Sequence, residues 1–224
     1  MAQRLALIHT VGALAPVFRD LSRELAPDAE TSDVVDEALL QEAIAAGEVP
    51  PATAARLEGH VRSALDDGAD LVLVTCSSMG GVVDDLRARH GWPVVRVDEA
   101  MVDEALRAGS RIGVLATLGT TLGPTAALVR RRAGELGRPD DSVEVVARVV
   151  DGAFAALKSG DVAAHDELVL AALRGLLPAV DAVVLAQASM ARVAGLLDPA
   201  ETAGTPVLSS PRLGIERAAA LLRR

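Results

Sequence analysis

The chain is written twice. Residues 70–80, DLVLVTCSSMG, and residues 181–191, DAVVLAQASMA, are two versions of one strand-to-loop segment. Three more segments repeat in the same order: RLALIHTVG at 4–12 over RIGVLATLG at 111–119, VVDEA at 34–38 over VVDGA at 149–153, and Pro93-Val94-Val95 over Pro206-Val207-Leu208. The spacing between copies drifts by a few residues, as loop insertions and deletions would make it. A duplication of this kind requires two half-domains of like architecture, each of about 100 residues. The expected boundaries are 1–98 plus 208–224 for one half and 99–207 for the other.

Short Val/Leu/Ile runs alternate with longer Ala/Leu-rich stretches of helical period. The runs Leu5–His9, Leu71–Thr75, Val94–Val97, Ile112–Ala116, Val143–Ala147, Val183–Ala186 and Val207–Ser209 read as strands. They are continuously apolar, which marks parallel strands covered on both faces. Helices are expected at Ala15–Leu25, Ala52–Asp67, Val82–Arg89, Glu99–Ala108, Thr121–Leu136, Val162–Leu177, Met190–Leu197 and Leu213–Leu222. Pro51 and Pro211 stand at favoured first-turn positions, and Gly68 and Gly109 at stops. This is an α/β chain: two pseudo-symmetric Rossmann-like lobes with parallel sheets. Right-handed crossovers then bring the loops after the strands to one edge of each sheet, and two such edges facing one another would make an active-site cleft between the lobes.

Composition narrows the function. Half of the residues are apolar, yet only Phe18, Phe154 and Trp92 are aromatic, so Ala, Val and Leu must build the core. A net charge of -9 excludes a nucleic-acid partner, which would need a concentrated basic surface. The run Arg130-Arg131-Arg132 reads as the solvated end of a helix. MAQRLALIHTVG lacks the pattern of a signal peptide, and no apolar run reaches the ~20 residues that span a membrane. A cytoplasmic protein with no membrane partner is expected, and a single cysteine, Cys76, agrees with a reducing compartment. A homodimer is the expectation for a chain of this size.

The residues at the strand ends are chemically narrow: His9-Thr10, Thr75-Cys76-Ser77-Ser78, Thr117 with Thr120 and Thr121, and Gln187-Ala188-Ser189. Hydroxyls and backbone N–H groups at helix N-termini make a receptor for a carboxylate. Cys76, between a strand end and a helix start, stands where a thiolate is favoured. Thr117, Thr120 and Thr121 can equally cap the following helix. His9 has Ala116 as its copy, so the fold does not require it. Asp36 and Glu37 precede a helix and the copy keeps Asp151, which points to a shared capping role; Asp98 and Glu99 read similarly. Gly80-Gly81 lacks the further glycine and the lysine of a phosphate loop.

With TCSS after a strand in the first half, ATLGTT opening the second and LAQASMA near its end, the chain resembles the aspartate/glutamate racemase superfamily, which includes hydantoin racemases, maleate isomerases and arylmalonate decarboxylases. The resemblance implies two pseudo-symmetric lobes, no cofactor or metal, a place in amino-acid metabolism, and a small carboxylic or amino acid as substrate. It also implies that the carboxylate is held by Ser/Thr hydroxyls and backbone amides; the candidates at the strand ends are Thr10, Ser77, Ser78, Thr117, Thr120, Thr121 and Ser189, with His9 and Gln187 as further substrate-binding candidates. In the two-cysteine racemases of the family one thiolate removes the α-proton and a second thiol delivers a proton to the opposite face. Cys76 matches the first of these positions. The second falls at Gln187, which has no titratable proton.

Three readings follow. In one, Cys76 is the acid/base or nucleophile of an isomerase or lyase working next to a carboxylate, as decarboxylation or cis-trans isomerisation would need. In another, His9, Asp36 or a water replaces the missing thiol of a racemase. In the third, the protein binds a small carboxylate without turning it over.

Overall fold

Leu5–Ile8, Leu71–Val74, Ile112–Ala116 and Ala182–Leu185 offer no polar side chain to solvent on either face, so a strand made from them has to lie inside a sheet covered on both sides. In the computed structural model, which describes residues 3–223, these segments are the two central strands of two parallel sheets. The chain divides into two units, one made of the residues up to Asp98 together with those from Pro211 on, the other of Glu99–Ser210.

The first unit runs β1 (Gln3–His9), α1 (Ala15–Leu25), β2 (Ala29–Val35), α2 (Ala38–Ala46), α3 (Pro51–Asp66), β3 (Leu71–Val74), α4 (Gly80–His90) and β4 (Val94–Arg96). The second runs α5 (Glu99–Ala108), β5 (Arg111–Ala116), α6 (Gly119–Glu135), β6 (Glu144–Val149), α7 (Ala153–Lys158), α8 (Val162–Leu176), β7 (Ala182–Leu185), α9 (Ala191–Ala194), α10 (Pro199–Thr202) and β8 (Val207–Ser209). A last helix, α11 (Ser210–Leu222), belongs from Pro211 on to the first unit. The strand orders are β2-β1-β3-β4 and β6-β5-β7-β8, the same order twice. All pairs are parallel.

The duplication extends to register. Ile8 lies opposite Val74 and Leu115 opposite Leu185; Val74 lies opposite Arg96 and Leu185 opposite Ser209. Each pairing is the copy of the other at the offsets of the repeat. The far ends of the central strands are clasped alike. The Asp70 carboxylate accepts the Arg4 N–H at 2.8 Å, and Asp181 accepts those of Arg111 at 2.8 Å and Ser110 at 2.7 Å.

The edge strands depart from the repeat. β2 was not expected from the sequence. Its residues AETSDVV are mostly polar and part-exposed, because an edge strand has one neighbour and needs no continuous apolar run. Its ladder is also one residue out of step with the sequence match: Ile8 lies opposite Val34, whereas Leu115 lies opposite Arg148 and not Val149. A slip of one residue turns a side chain to the other face of a sheet. Asp36 and Asp151 are therefore not equivalent. Asp36 accepts the Ala38 N–H and pairs with Arg56 and His60, while Asp151 is exposed before α7, whose N-cap residue is Gly152.

In the first unit Ile8, Val72 and Val74 pack with Leu39, Leu57, Val61, Met79, Val83 and Leu86. In the second, Leu115, Val183 and Leu185 pack with Val169, Leu173, Leu176, Met190 and Val193. The basic run is less solvated than its sequence suggests. Arg132 is tied to both oxygens of Asp103, at 2.7 and 2.8 Å, because α6 lies against α5. No helix among the described residues is long and apolar enough to cross a membrane.

One buried ionic cluster governs the start of α4. The Arg96 guanidinium donates to both oxygens of Asp98 at 2.9 and 2.8 Å and to Asp84 at 2.7 Å. Burial opposes its charge, but the two carboxylates outweigh burial and hold its pKa above the ordinary arginine value. The group passes so close to Gly80 that a Cβ there would lie 2.2 Å from its central carbon, whereas a Cβ on Gly81 would meet nothing within 4 Å. Gly80 is thus required by packing, and Gly81 is not. Gly80→Ala should cost about 1–3 kcal/mol, since the clamped guanidinium cannot yield, and Gly81→Ala should not destabilise. Urea unfolding midpoints test the contrast, and equal midpoints for the two variants would refute it.

Candidate active site

In each sheet the chain leaves the first central strand toward one edge and the second toward the other. That reversal opens a crevice at the carboxyl ends of the two strands, where α/β folds place their ligands. The crevice of the first unit lies where β1 and β3 end, at Thr10 and Cys76; that of the second lies where β5 and β7 end, at Thr117 and Gln187.

Cys76 is half-buried and stands just before a 3-10 turn, Ser77–Met79, that runs into α4. Its extended backbone makes it the N-cap residue of that turn, without a side-chain cap hydrogen bond. The N–H groups of Ser78 and Met79 and the hydroxyls of Thr10 and Ser78 act on the sulfur, each favouring its thiolate. Burial pushes the thiol pKa up, these donors pull it down, and burial prevails. This corrects the thiolate expected from position alone: the donors are present, but loss of water outweighs them. Cys76 rests as a thiol.

The second crevice repeats the arrangement with a different acceptor. The Gln187 side-chain oxygen accepts the backbone N–H of Thr117 at 2.5 Å and its hydroxyl at 3.0 Å. Thr117 is the copy of Thr10, and Gln187 the copy of Cys76. In both units the threonine after the first central strand donates to the residue after the second. Thr120 and Thr121 stand in the first turn of α6, whose N-cap residue, Leu118, has no side-chain acceptor to offer. The Thr120 hydroxyl oxygen is buried and has no partner among the described residues. Ser189 is part-exposed in the turn after Gln187.

Of the remaining expected residues, Thr10, Ser77 and Ser78 are buried around Cys76. His9 is fully buried, with Nδ1 2.9 Å from the Thr75 hydroxyl and Nε2 3.0 Å from Asp33. Arg19 holds the other oxygen of Asp33 at 2.9 Å, and Phe18 packs on the imidazole. Both ring nitrogens are thus occupied within the first unit, so His9 supports Thr75, the residue before Cys76. Asp33 and Arg19 were not anticipated, because β2 was not. The only sequence sign of them was a histidine in an otherwise apolar strand.

Comparison with known proteins bears on this arrangement. The model of the family described as Asp/Glu/Hydantoin racemase matches residues 8–218. The chain belongs to that family. Allantoin racemase from Klebsiella pneumoniae superposes with a TM-score of 0.65 at 20% identity, covering 99% of this chain and 86% of that one. Aspartate racemase from Picrophilus torridus gives 0.70 at 14% identity, covering 97% and 94%. An aspartate racemase homologue from Pyrococcus horikoshii OT3 gives 0.68 at 15% identity over the whole of both chains. A comparison with curated protein sequences finds no match. At these identities the structures establish a shared fold.

Two measurements test the site. Burial lowers the His9 pKa, and Asp33 only partly opposes it, so the unfolded chain binds this proton more readily than the folded one. Stability should rise with pH through the unfolded value of 6.5 and fall below it. His9→Gln should flatten that slope in denaturant midpoints taken from about pH 8 down to pH 5; an unchanged slope would count against a buried neutral His9. For Cys76, the pH midpoint of iodoacetamide alkylation should lie above that of an ordinary thiol. Thr10→Val should move it higher, since one donor to sulfur is lost, and a downward move would refute that contact.

Proposed function

We propose that this family member is a cofactor-independent isomerase or lyase acting on the carbon next to the carboxylate of a small amino or carboxylic acid, with Cys76 as its one thiol acid/base. The carrying observation is the set of donors converging on Cys76 in a crevice at a strand switch point. Groups aimed at sulfur stabilise the thiolate that appears once a proton has been given up. They need no rearrangement at that moment.

The resting thiol sets the direction of the first step. A protonated Cys76 delivers a proton to an enolate-like carbon and is left as a thiolate held by Thr10, Ser78 and the Met79 N–H. The enolate can arise by loss of carbon dioxide from a second carboxyl on the same carbon, and water then returns a proton to sulfur. The same group run backward removes an α-proton from the face it serves. Delivery from one thiol reaches one face of the carbon and gives one product hand. The substrate carboxylate is assigned to hydroxyls and backbone N–H groups at the strand ends beside Cys76.

A screen of small α-amino, α-hydroxy and malonic acids in heavy water tests this reading. Wild type should place deuterium on the α-carbon of its substrate, and Cys76→Ala should reduce this by at least about a thousandfold. Cys76→Ser should do nearly the same, since a hydroxyl is a much weaker acid. Turnover undiminished in Cys76→Ala would overturn the assignment, and binding without exchange across the screen would identify a carboxylate-binding protein instead.

A further inference from the structure

The groups around His9 fix where its ring proton sits. Arg19 can only donate, and it holds one oxygen of Asp33 at 2.9 Å, so Asp33 meets it as a carboxylate, which can only accept. The other oxygen of Asp33 lies 3.0 Å from His9 Nε2, and that nitrogen therefore carries the proton. Burial favours the neutral imidazole, which leaves Nδ1 as a bare acceptor 2.9 Å from the Thr75 hydroxyl oxygen. The hydroxyl has one proton and a second acceptor within reach, the Ile8 carbonyl at 3.1 Å. That carbonyl already accepts the Thr75 backbone N–H at 3.0 Å, whereas Nδ1 has no other donor among the described residues. The hydroxyl proton goes to the ring. Thr75 thus donates to His9 and His9 to Asp33, in a chain that crosses β3, β1 and β2 at their carboxyl ends.

We infer that Asp33 is a positioning residue for Cys76: by holding His9 in its Nε2–H form it directs the Thr75 hydroxyl onto the ring and so steadies the strand end from which the thiol acts. The inference rests on the reading of Cys76 as an acid/base and deepens it, because it names a carboxylate that works through two other side chains. All four residues belong to the first unit, so nothing from the second is needed.

Two substitutions at position 33 treat this chain of bonds differently. In Asp33→Asn the amide oxygen has to face Arg19, so the amide NH2 faces Nε2. The ring proton then moves to Nδ1 and is donated to the Thr75 oxygen, and the hydroxyl turns to the Ile8 carbonyl. The chain is kept but reversed, with weaker bonds because the carboxylate charge is gone. In Asp33→Ala the Nε2–H loses its acceptor, and the chain ends at the ring.

Long-range proton–nitrogen-15 correlation of the imidazoles reads the direction, with His9→Gln assigning the signals among the four histidines. Wild type should show His9 protonated at Nε2 and bare at Nδ1, and Asp33→Asn the reverse. Amide hydrogen exchange reads the support at Thr75 and Met79, whose N–H groups bond to the Ile8 and Cys76 carbonyls. It should quicken there at least about tenfold in Asp33→Ala and less in Asp33→Asn, while amides of the second unit stay unaltered. For the acid that the heavy-water screen identifies, kcat should fall about ten- to a hundredfold in Asp33→Ala and less in Asp33→Asn, with KM held. His9 protonated at Nδ1 in wild type, or exchange at Thr75 and Met79 unaltered in both variants, would overturn the inference. So would a folded Asp33→Ala with a lowered unfolding midpoint and an unaltered kcat. If Asp33→Ala does not fold, the tautomer and exchange of Asp33→Asn decide alone. Neither reading needs turnover, so a failed chain is told apart from a failed acid, which Cys76→Ala exposes.

Discussion

Everything at the two crevices depends on the parallel register between the first and second central strands of each sheet. At one end Asp70 and Asp181 fix that register by accepting backbone N–H groups of the neighbouring strand. At the other, Thr10 and Thr117 reach across the same pair of strands to Cys76 and Gln187. A slip of one residue in either sheet would turn these side chains to the opposite faces and break both clasps. The register also sets the topological reversal beside which the chemistry-bearing residues stand.

Given that frame, the state of Cys76 is a balance between lost hydration and supplied donors. Burial is the larger influence, and it keeps the proton on sulfur. The donors nonetheless matter more once the proton has gone, because hydrogen bonds to an anion are about twice as strong as those to a neutral group. Gln187 meets the N–H and hydroxyl of Thr117 with an oxygen that never ionises, where Cys76 meets the Thr10 hydroxyl with a titratable thiol.

Much of this was legible in the sequence, and the omissions share a cause. Buried central strands have to be apolar throughout, so all four showed as uninterrupted runs, and the repeat confirmed their pairing. β2 lies at an edge and shows no such run; carrying β6 back across the duplication would have located it to within one residue. That residue matters, because the VVD match sets Asp36 over Asp151 although the ladder sets Asp36 where Val150 stands. Sequence identity between copies outlived the equivalence of their positions. The thiol was read as a thiolate because position shows in sequence and desolvation does not. Arg132 was read as solvated because its partner Asp103 lies on another helix.

The asymmetry between the two halves reaches deeper than Cys76 and Gln187. Behind Cys76 stand Thr75, His9 and Asp33, joined by contacts of 2.9 and 3.0 Å and closed by Arg19. By the observed ladders their counterparts in the second unit are Ala186, Ala116 and Ala147. Three polar positions in one copy are three alanines in the other. A buried imidazole and hydroxyl beside a part-buried carboxylate are costly unless mutually satisfied, so the three are explicable only together. What they hold is the backbone leading into Cys76, since the Thr75 hydroxyl oxygen also lies 3.1 Å from the Ile8 carbonyl. An acid that must meet a carbon at one distance and angle gains from a rigid support. The polar support stands behind the thiol alone, which is the distribution expected if Cys76 is the residue that has to be positioned.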